Sequence, residues 1–155
     1  MNDTLEQEAF CIADASIRRH SMDVGTWLHT VIGEVHPGIA AQFLLEPGEL
    51  CLASGYLSDE SWWVISTRRI ASRHQGVNAS LDPRYGVEYR FGNFKGITEG
   101  EVAGVPGSEI ATVTSRNGGP AIQFEYETGK ASMAPIYACR FWALVKRFHH
   151  GQSEG

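Results

Sequence analysis

Trp62-Trp63-Val64-Ile65-Ser66-Thr67-Arg68-Arg69-Ile70-Ala71-Ser72 is the stretch on which the reading of the fold turns. Aromatic and β-branched residues fill its first half, the composition of a strand with a packed face, and the basic pair marks where it turns toward solvent. It reads as a central strand. Upstream, Pro47-Gly48 marks a turn and Glu49 to Leu57 forms a partner strand. Ser58-Asp59-Glu60-Ser61 is then the polar connection of an antiparallel hairpin.

Downstream, Arg69 to His74 continues this hairpin or opens a third strand, and Gln75 to Arg84 reads as a loop rich in Gly, Asn, Ser, Asp and Pro. Val87, Tyr89 and Phe91 alternate with Glu88 and Arg90, the pattern of a half-buried strand. Five glycines from Gly92 to Gly107 break that pattern, with a short strand expected around Gly100 to Val105. Ile110 to Arg116 and Pro120 to Glu127 flank Asn117-Gly118-Gly119, residues that supply the positive φ of a tight hairpin turn. In its second arm Ile122, Phe124 and Tyr126 point one way and Gln123, Glu125 and Glu127 the other, which fixes the register. The period then becomes helical: Ala138, Phe141, Trp142, Val145 and Phe148 share one stripe, with Pro135 in the first turn and His149-His150 at the far end.

The first 45 residues read differently. Asp3 and Thr4 with Glu6 and Gln7 make a capping-box signature for a helix over residues 3–20, closed by Arg18, Arg19 and His20. A second helix is expected from Asp23, carrying Trp27, Val31 and Ile32 until Pro37-Gly38. The chain thus divides into a helical N-terminal extension (1–45), a β-rich domain (46–150) and a disordered tail (151–155).

Composition narrows the function classes. The net charge is −5, yet the segment Trp62 to Ile97 holds six basic residues against Asp82 and Glu88. An acidic chain with a positive middle is not a general nucleic-acid binder, because phosphate neutralisation needs a basic face over most of the contact. The sequence shows no apolar run long enough to span a membrane and no secretory leader after Met1, and so reads as a cytoplasmic protein. Cys11, Cys51 and Cys139 are odd in number and far apart, which suggests buried free thiols rather than a disulfide framework or metal site.

Meandering strands closed by an amphipathic helix describe an α+β fold. From about Leu45 to His150 the chain resembles the pleckstrin-homology-like superfold, and more closely its bacterial PH-like and GRAM-like branches. Pro47-Gly48-Glu49 before the first strand, the Trp62 to Ile70 strand ending Thr67-Arg68-Arg69-Ile70, and the helix from Ile136 to Phe148 carry the resemblance. It implies a strongly bent antiparallel barrel of about seven strands, capped by the C-terminal helix and preceded by the N-terminal helices. It also implies a binding module rather than an enzyme, without cofactor, whose partner is a protein, a peptide or its own copy. The first hairpin loop departs from the lipid-binding members, since Asp59 and Glu60 would repel an inositol phosphate.

Two sets of candidate residues follow. Arg68, Arg69 and Arg73 with Arg90 and Lys95 supply the chemistry of an anion pocket, the basis of an alternative role at a membrane surface or on an anionic ligand. Structural ion pairs with acids of neighbouring strands compete with that reading. Trp62 and Trp63 point to opposite faces of their strand, one toward the core and the other either toward a partner or under the N-terminal helices. No catalytic constellation is evident. His29 and His36 lack further ligands at metal spacing, and Cys139 beside Arg140 lies in the capping helix.

Overall fold

The computed structural model describes residues 3–95 and 107–144. In chain order the described elements are α1 (Asp3–Arg19), β1 (Thr30–Ile32), β2 (Cys51–Ser58), β3 (Ser61–Ser66), β4 (Ile70–His74), β5 (Val77–Leu81), β6 (Val87–Arg90), β7 (Ser108–Ser115), β8 (Ile122–Glu127) and α2 (Met133–Ala143). Trp62 to Ile65 occupy the middle of β3, and all six residues of that strand are buried. It is the central strand of the larger sheet, whose order is β1-β2-β3-β4-β5; β6-β7-β8 form the smaller one, and every pairing is antiparallel.

The expected closed barrel of about seven strands is therefore corrected to two open sheets. The break lies after β5. Asp82 accepts the Arg84 amide hydrogen bond at 2.9 Å and starts a 3-10 turn over Pro83–Tyr85, and Gly86 follows with φ 88°. Proline has no amide to continue the ladder, and the positive φ redirects the chain into the second sheet. The two sheets then pack on each other, β8 lying against β3 and β4, with the Ser72 hydroxyl donating to the Gln123 carbonyl at 2.9 Å.

Alternation along β3 makes two apolar clusters. Trp63 and Ile65 face the second sheet, in a core with Phe124, Tyr126, Ile70 and Trp142. Trp62 and Val64 face away and are covered by Ile39, Val35 and Phe43, in a cluster that also holds Cys51. Gly55 lies opposite Trp63 because the indole crosses it: a Cβ there would meet Trp63 Nε1 at 2.3 Å.

The N-terminal residues are woven into this arrangement. Ala13 and Ile17 of α1 belong to the main core. The predicted second helix is corrected to a 3-10 turn at Val24–Thr26 followed by β1, in which Thr30 pairs with Gly55 and Ile32 with Ala53. Asp23, with φ 54°, ends helical geometry at the predicted start. The buried Glu127 carboxylate then fixes the segment, accepting from the amides of Leu28 and His29 at 2.8 Å and from the Thr30 hydroxyl at 2.9 Å. Three strong donors compensate a carboxylate taken out of water.

Helix α2 touches β1, β2 and β3 of one sheet and β6 of the other, and also packs on α1. Ala134, Ala138, Cys139 and Trp142 face inward, and Trp142 Nε1 donates to the Ser66 carbonyl at 3.1 Å. Across the helix pair His20 stacks on Tyr137 at 3.9 Å. The predicted strand at 100–105, Val145, Phe148, His149 and His150, and the tail 151–155 lie outside the described residues.

Candidate functional site

The basic pair sits in the turn between β3 and β4. The amides of Arg68 and Arg69 donate to the Ser66 hydroxyl oxygen at 3.1 and 3.0 Å, and the Ser66 amide donates to the Arg69 carbonyl at 2.9 Å. Leaving the strand here frees both side chains from the alternation that would have set them on opposite faces. Arg68 then grips Glu6 of α1 with two bonds of 2.8 Å, while the Thr67 hydroxyl reaches the same carboxylate at 2.6 Å. Glu6, read from the sequence as a capping acid, is wholly buried instead. Arg68 also meets Glu46 at 3.2 Å and the Pro47 carbonyl at 2.9 Å.

Arg69 makes the corresponding grip on Glu49, at 3.0 and 2.9 Å. It further donates to the Leu44 carbonyl at 2.8 Å and lies 4.3 Å from the centre of the Phe43 ring. Burial pushes the Glu49 carboxyl pKa up. Hydrogen bonds from Arg69, Ser66 and the Glu46 amide, with the Arg69 charge, outweigh it and leave the group below its ordinary range. The same bonds hold the Arg69 guanidinium pKa above its usual value. Both arginines thus fasten earlier parts of the chain to the sheet.

The other predicted cations lie elsewhere. Arg73, on β4, bonds Asn78 at 2.9 Å and Glu60 at 3.3 Å. Arg90 is an exposed end of β6 in the second sheet, and Lys95 is exposed beyond it. A hollow of about 290 Å³ is lined by Thr67, Arg68, Asp82 and Arg84, but Arg84 pairs with Asp82 at 2.7 Å and Arg68 with Glu6. Its positive charges are matched in place. A more apolar hollow of about 390 Å³ lies between β6 and α2, beside Tyr89, Phe91, Met133 and Ile136. Trp62 and Trp63 are both buried, at 2% and 0% exposure; Trp62 donates to the Gln42 side chain at 3.2 Å beneath residues 39–43.

The remaining singled-out groups have local partners. His29 Nδ1 lies 3.1 Å from the Tyr56 carbonyl, and His36 stacks on the Tyr56 ring at 5.4 Å. His36 Nδ1 accepts the Gly38 amide at 3.0 Å. Among the described residues, no group of three or more His, Cys, Asp or Glu is placed to hold a metal ion. Cys139 is fully buried, which raises its thiol pKa, and burial pushes Cys51 up to about 12. Cys11 is the exception to the expectation of buried thiols, standing exposed on α1.

One surface was missed from sequence. The predicted loop Gln75 to Arg84 contains a strand, β5, joined to β4 by Gln75-Gly76 at φ 51° and 80°. That is a two-residue hairpin turn of the kind that matches strand twist. Among the described residues strand β5 ends the larger sheet and pairs with β4 alone, and it exposes Val77, Asn78, Ala79 and Ser80. Only Leu81 reaches the core. Gln75-Gly76 and the alternation of Val77, Ala79 and Leu81 with Asn78 and Ser80 were both present, but the turn-forming Gly, Asn, Ser, Asp and Pro of Gln75 to Arg84 read as a loop. Among the described residues no helix is long and apolar enough to cross a membrane. No family model, no curated protein and no solved structure matches the chain.

Proposed function

We propose that this chain is a non-enzymatic interaction module of pleckstrin-homology-like type that binds a protein or peptide partner by strand addition along β5. The observation that carries the reading is the edge itself. Natural sheets blunt their edges with charge, proline, bulges or a covering element, whereas β5 has an exposed row of backbone groups and no charged side chain. An extended segment laid along it gains main-chain hydrogen bonds. Two antiparallel sheets with a C-terminal helix touching both support the superfold assignment.

The anionic-ligand alternative is weakened because carboxylates already engage Arg68, Arg69, Arg73 and Arg84. Sedimentation with anionic vesicles at low ionic strength checks it, and salt-sensitive binding would restore it. The leading reading is tested by comparing the wild-type chain with Ser80→Pro as bait in a lysate of the native cell. Proline removes the outward amide without touching the ladder to β4. A bound protein lost from the variant supports the module. Turnover of a substrate by the pure protein, abolished by one point mutation, would overturn it.

A further inference from the structure

We infer that the segment added to β5 is β5 of a second copy, paired antiparallel about a two-fold axis through Ala79. This rests on the proposed role of the edge and names its partner. The two-residue turn makes His74 and Val77 the closing hydrogen-bonded pair, and the observed register continues through Arg73–Asn78, Ser72–Ala79, Ala71–Ser80 and Ile70–Leu81. Hydrogen-bonded and non-bonded pairs alternate along an antiparallel ladder. The amides and carbonyls of Val77, Ala79 and Leu81 therefore turn toward β4, and those of Asn78 and Ser80 turn outward.

That spacing is self-complementary. With Ala79 opposite Ala79 of the second copy, Asn78 exchanges both backbone bonds with Ser80, and Ser80 with Asn78. An isologous contact sets every residue against a fixed counterpart, so charges near the axis would repel their own kind. Gln75 to Leu81 carries none. At the ends of the paired segment Leu81 comes opposite Val77 and Asp82 opposite Gly76, so no like charges meet. The other edges fit such a role poorly: β1 has three residues, β6 carries Glu88 and Arg90, and β8 carries Glu125 and Glu127. Strand pairing alone buries less than the roughly 1,600 Å² of a standard stable interface, so the dimer forms at high concentration and exchanges.

Sedimentation equilibrium of the full chain from about 10 μM to about 1 mM spans the affinities expected of such a contact. Wild type should shift from monomer toward dimer. Ala79→Lys and Ala79→Glu each set like charges across the axis and should raise the dimer dissociation constant by about fivefold or more. An equal mixture of the two should restore a dimer, seen as the heterodimer mass by native mass spectrometry, a rescue that misfolded chains would not give. A wild type that stays monomeric overturns the inference, as does a dimer indifferent to both substitutions. If that monomer still captures a different protein through an edge sensitive to Ser80→Pro, the interaction module stands and only the second copy falls; if it captures none, both fall.

Discussion

Arg68 and Glu6 form an unequal pair: the arginine side chain is 30% exposed and the carboxylate is wholly buried. Removing the arginine strands a buried charge, with only the Thr67 hydroxyl left to meet it among its described side-chain donors. Arg68→Ala should therefore cost about 2–3 kcal/mol in urea unfolding, and Glu6→Gln, which leaves the cation near water and Glu46, about 1–2 kcal/mol. Equal losses under 0.5 kcal/mol would make the contact an ordinary surface pair. A sequence reader could see that the basic pair would be either a ligand site or an ion-pair anchor. The partners are 62 and 20 residues away along the chain, a separation that local pattern does not encode. Cysteine chemistry separates in the same residue-by-residue way. Native protein should consume one equivalent of a thiol reagent at Cys11, and unfolded protein should consume three, since Cys51 and Cys139 are buried and held as thiols. Rapid native labelling of all three would show that the core is open.

At the scale of elements, turn chemistry and the alternation of large side chains were legible, and short or turn-rich strands were not. Gly118 and Gly119 take positive φ between β7 and β8, and Ile122, Phe124 and Tyr126 all point inward, as their spacing required. Val31 and Ile32 misled because a three-residue strand is too short to display a period of two, and its pairing with β2 is tertiary. Another cause concealed β5, whose Val77, Ala79 and Leu81 do alternate with Asn78 and Ser80 but sit among Gly, Asn, Ser, Asp and Pro residues that signal a loop. Gly55 gives the sharpest test of an element contact. Gly55→Ala drives a methyl into the indole of Trp63, a buried ring whose centre lies 5.5 Å from that of Phe124. The variant should lose about 2 kcal/mol or more in stability, as overpacked cores do. A change within 0.5 kcal/mol would mean that the indole moves freely, contrary to ordinary core packing.

For the whole molecule, the sequence conveyed a β-rich chain ending in a helix, while closure into one barrel depended on ladders joining β5 to β6, where the Asp82-Pro83 turn intervenes, and β8 to β1, and neither forms among the described residues. Stability should fall with acid in two stages. Burial and the charge of His29 depress the His36 pKa below 6.5, outweighing the opposing pull of Glu34, so the unfolded chain binds the proton more readily than the folded one. The contribution is complete above 6.5 and is lost as the pH drops toward the lowered value. Glu49, also depressed, adds its loss below the ordinary 4.5. Melting temperature should thus begin to decline just under neutrality, and His36→Asn, which keeps an acceptor for the Gly38 amide, should flatten that first stage. An unchanged profile would mean that the imidazole titrates alike in both states. Leu44 is 80% exposed, inviting a protease to nick the loop it occupies. The amino-terminal piece would still lend a strand to the sheet, shield Trp62 and hold Arg68 through Glu6. The severed halves should co-elute as a complementing pair, separating only in denaturant.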